Sequence, residues 1–267
     1  TRPGNLLVEG RVQKGDAAAA LATSAHVVEG HMTTAFVEHA YIEPEAGSAW
    51  MEGDTLVIRA CTQAPGMDRE DTAAILNLAP DRVRIIPSAV GGGFGSKLDI
   101  SLQPLIGLVT LRTGRPCRMV YSRTESMTST TKRHPAEMRG RIGCDAQGRI
   151  TGMEFEGRFN TGAYSSWGPT VANRVPVHVS GPYRTPHITA RARAIHTHGP
   201  VSGAFRGFGV PQGALWQETL YDRLADKAGI DRLEFRIRNA LRDGDASATG
   251  QILRAAGIHD CLTALRP

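Results

Sequence analysis

The run RVRIIPSAV, residues 82–90, breaks directly into GGGFGSKLD, Gly91 to Asp99. An apolar, β-branched run of this kind predicts a buried strand. Three successive glycines cannot continue it, because they offer nothing to pack and lose the most backbone freedom on ordering. The strand must therefore end in a bare loop. The sequence beyond, DISLQPLIGLVTLRTG, predicts a helix closed by Gly114 and Pro116. A strand, a glycine loop and a helix in that order let backbone N–H groups approach an anion closely. The loop is not a Walker A loop, since Gly95 is followed by Ser96 and Lys97 by Leu98. Serine at position 96 also breaks the full G-x-G-x-x-G pattern. On this stretch alone, a tight strand–helix turn remains the alternative.

A second loop has the same character. Gly203 to Gly209 reads GAFRGFG, with glycines bracketing Phe205 and Phe208 and with Arg206 between them. Arginine supplies a fixed cation and a fork of donors. Phe208 offers a flat face to an aromatic substrate. Two such loops in one chain point to one site lined from two sides. The alternative is that both phenylalanines belong to the core.

The rest of the chain frames these loops. SAWME and TLVIRACT predict a hairpin around Gly53-Asp54. MDREDTAAILNLAP has a helical rhythm with acids in its first turn, and PCRMVYS reads as a buried strand. MRGRIGCDAQGRITGMEFEGRFN predicts two long strands around the turn Asp145 to Gly148, and ITARARAIHTH alternates as a half-exposed strand does. Helices are expected over ALWQETLYDRLADKAG and DRLEFRIRNAL, with another beginning in GIHDCLTALRP. Strands and helices mix without regular βαβ alternation, so the fold class expected is α+β, with mixed β-sheets packed against helices.

Composition narrows the function. The chain has 267 residues, a net charge of +5 and 41% hydrophobic residues. It has no apolar run long enough to span a membrane and no signal-peptide pattern at its start. It opens on Thr1 rather than Met, as a piece of a longer protein would. The arginines are scattered, so no basic stripe supports nucleic-acid binding, and the mild positive excess suits an anionic cofactor. Cys61, Cys117, Cys144 and Cys261 lie far apart, without the spacing of a zinc or iron–sulfur site. They read as buried thiols in a reducing compartment. His196 and His198 share a strand face, more often a surface than a metal pair. Lys132-Arg133-His134 reads as a solvated or structural cluster. Glu38, Glu43 and Glu45 could each supply a basic carboxylate, but nothing fixes their geometry. No G-x-S-x-G elbow or Cys–His pairing supports nucleophilic hydrolysis.

Together, GGGFGSK and GAFRGFGVPQ resemble the paired signatures of the molybdenum-binding large subunit of the xanthine dehydrogenase/aldehyde oxidase family, the molybdenum hydroxylases. TAFVEHAYIEPEAG, KRHPAEM, CDAQGRITG and NTGAYSS fall in the family's order. The likeness runs from about His26 to the C-terminus, and EHAYIEPE is nearest the bacterial xanthine dehydrogenase or purine hydroxylase branch. The resemblance implies an N-terminal extension over 1–25 and a first molybdopterin-binding domain over 26–267, with the second half of the subunit absent. It implies a molybdenum atom held by a pterin dithiolene rather than by side chains, with the pterin in its cytosine dinucleotide form. Gly92, Gly93, Phe94, Gly95, Phe205 and Arg206 would bind this cofactor. Leu98, Arg174 and Phe208 would face the substrate.

Two positions depart from the family's purine enzymes. Leu98 stands where they carry a glutamate able to hydrogen-bond a purine, and Val37 stands where the animal enzymes place a glutamine. A less polar heterocycle or an aldehyde then fits at least as well as xanthine. The general-base glutamate is expected in the missing C-terminal half, so the chain alone is expected to be inactive. Iron–sulfur and flavin (FAD) subunits or domains, that missing half and a small-molecule substrate are the expected partners. The resemblance allows a dimer and a role in purine catabolism, with no nucleic acid, no membrane and a cytoplasmic location. The rivals are a non-catalytic remnant or scaffold, and a phosphate- or nucleotide-binding domain without molybdenum.

Overall fold

The computed structural model describes residues 3–266, so Thr1 and Arg2 of the expected extension and Pro267 of the tail lie outside the described residues. In chain order the elements are β1 (Leu6–Lys14), α1 (Ala17–Ala22), β2 (His26–Thr34), β3 (Ala46–Glu52), β4 (Thr55–Ala60), α2 (Pro65–Leu76), β5 (Val83–Pro87), α3 (Gln103–Thr113) and β6 (Cys117–Val120). There follow α4 (Arg123–Ser129), β7 (Ala136–Cys144), β8 (Ile150–Gly162), α5 (Gly168–His178), β9 (His187–His196), α6 (Val210–Ala228), α7 (Arg232–Asn239) and α8 (Ile258–Thr263). They form two compact units. The sheet unit takes the chain up to Ala35, His134–His198 and everything from Gly207 onward; the loop unit takes Phe36–Arg133 and Gly199–Arg206.

The sheet unit is built on five strands in the order β1-β9-β8-β7-β2. All pairs are antiparallel except β8 with β9, whose crossover is α5. Residues expected in an N-terminal extension thus form an edge strand, β1, with Lys14 opposite Ile188. The two-residue period of the strands divides their side chains between two faces. Met138, Ile142, Met153, Phe155, Phe159 and Ile188 are buried in a core with Val171 and Val175 of α5 and Trp216, Leu220 and Leu224 of α6. The other face carries a ladder of ion pairs, Arg139–Glu156 at 2.6 Å, Arg141–Glu154 at 2.7 Å and Arg193–Glu9 at 2.7 Å. Asn239, at the end of α7, secures the β7–β8 turn: Oδ1 accepts from Ile150 N–H at 2.8 Å and Nδ2 donates to Gly148 O at 2.8 Å.

The loop unit has a four-stranded sheet in the order β5-β4-β3-β6. The β3–β4 hairpin turns at Gly53-Asp54, and α2 carries the chain across to the parallel strand β5. Ala49, Leu56, Ile58, Ala60, Leu102 and Ile106 form its core. Three expectations need correction, the first being that all four cysteines are buried: Cys61 and Cys144 are, but Cys117 is half-buried and Cys261 exposed. β5 and β6 are the two edge strands of this sheet, with only Val83 of β5 buried and Val120 51% exposed, so neither RVRIIPSAV nor PCRMVYS is a buried strand. The helix expected from Asp99 begins only at Gln103, and the glycine loop instead runs into a single 3-10 turn at Ser96–Leu98. Proline inside the first turn of α3 favours a start beside it, since the residue before a proline is disfavoured deeper in a helix. No long helix N-terminus stands directly behind the loop.

Candidate functional site

The first loop has almost no side chains of its own, and distant residues fix its path. Glu43 Oε2 accepts from Gly91 N–H at 2.7 Å and from Lys97 Nζ at 2.8 Å, so one carboxylate closes both ends of the loop. Lys97 Nζ also donates to Glu43 O at 3.0 Å and lies 4.6 Å from the Tyr41 ring centroid. The Lys97 side chain is only 2% exposed. It is a structural cation turned inward, not one reaching for a phosphate. Burial pushes the Glu43 carboxyl up, but the Lys97 amine and the Gly91 N–H outweigh it and hold it below the usual range. Beneath the loop, Gln63 Oε1 accepts from Gly95 N–H at 3.0 Å, and Gln63 N–H donates to Lys97 O at 2.9 Å.

The first half of the second loop lies against the first loop. Arg206 N–H donates to Phe94 O at 2.9 Å. Gly95, at φ +110°, comes so close that a Cβ there would stand 2.7 Å from Ala204 O. Phe205 is sandwiched. The His39 ring stacks on it at 3.9 Å between centroids and 19° between planes, and the Arg133 guanidinium covers it at 3.8 Å. His39 Nε2 meets Ala204 O at 2.7 Å, so this nitrogen carries the proton, and Arg133 Nη2 donates to Arg206 O at 2.9 Å. Burial pulls the His39 pKa down and favours the neutral ring.

The outcome is a bare array of donors. Among the described residues, the backbone N–H groups of Gly92, Gly93, Phe94, Ala204 and Phe205 have no protein acceptor. Phe94 is 47% exposed and holds φ +50°, a region that bulky residues seldom occupy. Strain of that kind persists where the surroundings over-determine it, commonly at functional sites. Leu98 lies half-buried in the 3-10 turn of the same unit, and Val37 is 47% exposed and bridges to Arg133.

The other predicted residues belong to the sheet unit. Phe208 also has a left-handed backbone, at φ +47°. Its ring meets the Trp167 ring edge-on at 5.7 Å, and the Arg174 guanidinium of α5 lies 5.7 Å from its centroid. Arg174 is exposed. His196 Nδ1 lies 3.2 Å from Gly162 O. Among the described residues no group of three or more His, Cys, Asp or Glu side chains is placed to hold a metal.

Four residues hold the loops, of which the sequence reading missed His39 and Gln63 and named Glu43 only as a possible base. Arg133 lies in a cluster expected to be solvated or structural, and the structural reading is the one observed. The three carboxylates considered as bases are all engaged. Glu38 pairs with Lys132 at 2.6 Å, Glu43 with Lys97, and Glu45 accepts from the Tyr41 hydroxyl. Burial and that carboxylate push the Tyr41 hydroxyl up to about 12.

Residues 1–240 match the molybdopterin cofactor-binding domain family, and the chain belongs to it. The nicotinate dehydrogenase large molybdopterin subunit of Eubacterium barkeri is 40% identical over 96% of this chain and 60% of its own. The aldehyde oxidoreductase of Desulfovibrio gigas superposes with a TM-score of 0.95 at 31% identity, over 99% of this chain and 30% of that one. Quinoline 2-oxidoreductase of Pseudomonas putida 86 gives a TM-score of 0.89 at 26% identity, over 99% and 35%. The chain therefore spans between 30% and 60% of the length of these relatives. Molybdopterin is the cofactor of the family, and the two loops suit it. They offer unpaired N–H donors and a cradle in which a Cβ on Gly93 would strike Gln63 Oε1 at 2.4 Å. That fits a group held by hydrogen bonds rather than by side-chain ligation. No helix among the described residues is long and apolar enough to cross a membrane.

Proposed function

We propose that this chain is the first cofactor-binding part of a molybdenum hydroxylase that oxidises an N-heteroaromatic ring, a purine or an aldehyde with oxygen from water. The observation that carries the reading is the meeting of the two glycine–aromatic loops around unpaired N–H groups, through Arg206 N–H to Phe94 O. Gly92, Gly93, Phe94, Gly95, Phe205 and Arg206 hold and orient the pterin-bound molybdenum, which supplies two-electron oxidation when bound. The amides do so without rearrangement, because Glu43, Gln63 and His39 already fix the backbone.

Phe208, braced by Trp167, gives a planar substrate a face to lie on, and Arg174 supplies a cation beside it. Leu98 covers substrate with an apolar surface and offers no hydrogen bond. The names of the nicotinate and quinoline enzymes favour a heteroaromatic ring over an aldehyde. The general-base carboxylate lies outside these residues, as do the iron–sulfur and flavin carriers that receive the electrons. A pterin in its cytosine dinucleotide form, a dimer and a cytoplasmic location complete the reading.

The test is elemental mass spectrometry on the native protein, captured from its own host through this polypeptide. About one molybdenum per chain is expected. No molybdenum after growth with ample molybdate would overturn the reading in favour of a remnant or another ligand. In the molybdenum-loaded protein, Leu98→Glu should raise kcat/KM for a purine about tenfold or more relative to a less polar ring. An unchanged ratio would remove Leu98 from the substrate site.

A further inference from the structure

Phe205 contributes one of the unpaired N–H groups, and the question is what aims it. The segment Gly203–Arg206 is in neither strand nor helix. Its ends are tied by Gly203 N–H to Lys132 O at 3.0 Å and Arg206 N–H to Phe94 O at 2.9 Å, and between them the Ala204–Phe205 peptide is oriented by the hydrogen bond that Ala204 O accepts. The carbonyl of Ala204 and the N–H of Phe205 are two ends of one peptide group. That group is planar and trans, so its C=O and N–H point in opposite directions. Whatever fixes Ala204 O therefore fixes the line of Phe205 N–H.

The group that fixes Ala204 O is His39 Nε2, at 2.7 Å, from a fully buried ring. The same ring lies flat on the Phe205 side chain, at 3.9 Å. Arg133 closes the opposite face of Phe205 at 3.8 Å and holds the next carbonyl but one, Arg206 O, at 2.9 Å. A hydrogen bond received at a carbonyl also polarises its peptide group and strengthens the N–H at the other end.

We propose that His39 is a positioning residue, which aims the Phe205 N–H at the cofactor and makes it a stronger donor, with Arg133 as the opposing half of the clamp. This rests on the molybdopterin reading above. It adds a role for a residue that would touch neither cofactor nor substrate. His39→Phe keeps the flat ring and removes the donor. His39→Gln places an amide N–H near the position of Nε2, and His39→Asn places one near Nδ1, short of Ala204.

The experiment compares these variants in the native protein isolated from its host, by three readouts: molybdenum content, the electron paramagnetic resonance signal of the reduced molybdenum centre, and kcat against KM. In His39→Phe we expect kcat to fall about tenfold or more. KM should stay within about twofold, and the resonance signal should shift. His39→Gln should recover most of both, and His39→Asn should not. If His39→Phe does not accumulate as folded protein, the Gln and Asn variants carry the same contrast. A wild-type signal and wild-type kcat in His39→Phe would overturn the inference, as would equal losses in the Gln and Asn variants. Absence of molybdenum from the wild-type protein would instead overturn the functional reading on which the inference rests.

Discussion

The two glycine–aromatic loops look alike in sequence and are held by opposite kinds of force. Gly91 to Lys97 is held by charge, with one carboxylate, Glu43, gripping an N–H at one end and a buried amine at the other. Gly203 to Arg206 is held by stacking and short hydrogen bonds, with Phe205 between an imidazole and a guanidinium that also donate to Ala204 O and Arg206 O. A loop poor in side chains cannot pack itself into place, so its shape is set by residues that reach it from elsewhere. Here those residues arrive from positions 39, 43, 63 and 133. The difference matters for how each loop fails. A buried ion pair fails abruptly when one partner is lost, whereas a stack loses only part of its contact.

The sharpest break in that comparison is Lys97→Met. It leaves Glu43 without its cation, and removing one partner of a buried pair costs about 2–4 kcal/mol here, toward the lower end of the usual range because Glu43 is partly open to water. The denaturation midpoint should fall accordingly, and a change within error would show that charge does not hold this loop. Gly95→Ala comes next, because it strains a residue at φ +110° and drives a Cβ toward Ala204 O. A loss of about 1–3 kcal/mol is expected. This variant alone disturbs both loops, so a neutral result would mean that their close approach is not fixed.

The smallest effect is a slope rather than a step. Burial lowers the His39 pKa from its ordinary 6.5, with Arg133 and Lys132 acting in the same direction and Glu38 and the Ala204 carbonyl against it. The fold thus favours the neutral ring. Its contribution to stability is present in full above about 6.5 and is lost as pH falls through the lowered folded value. Urea midpoints from pH 7.5 to 5 should decline more steeply in the wild-type protein than in His39→Gln.

Much of the fold was legible because local pattern and tertiary demand agree. The β3–β4 hairpin, the β7–β8 pair and α6 all announce themselves by period and turn chemistry. β1, β2 and α5 do not. In α5 an internal Pro176 disguises the helix, although the missing hydrogen bond falls at Ala172, whose carbonyl faces Gly10 so closely that a Cβ there would stand 2.2 Å away. Gly30 breaks the apolar pattern of β2 because Trp216 Nε1 donates to its carbonyl at 3.1 Å and a Cβ there would stand 2.7 Å from Leu220 Cδ2. In the site, the bare loops were visible because glycine has few other reasons to cluster. Their supports were not. Glu43 read as a possible base, Lys97 as one more residue of the glycine loop and Arg133 as part of a solvated or structural cluster, and only their partners in the fold show that they brace the loops.

The strand order of the large sheet sets a timetable for synthesis. β1 and β2 are made first, yet β2 pairs only with β7, and β1 only with β9. Lys14 must wait until the chain reaches Ile188. At about 5–20 residues per second, that leaves an unpaired strand waiting on the order of ten seconds or more. The loop unit is complete once Arg206 has emerged, whereas the sheet unit still lacks α6, the helix that seals its core. The nascent protein therefore presents open strand edges and an uncovered apolar sheet face at the stage when chaperones meet it.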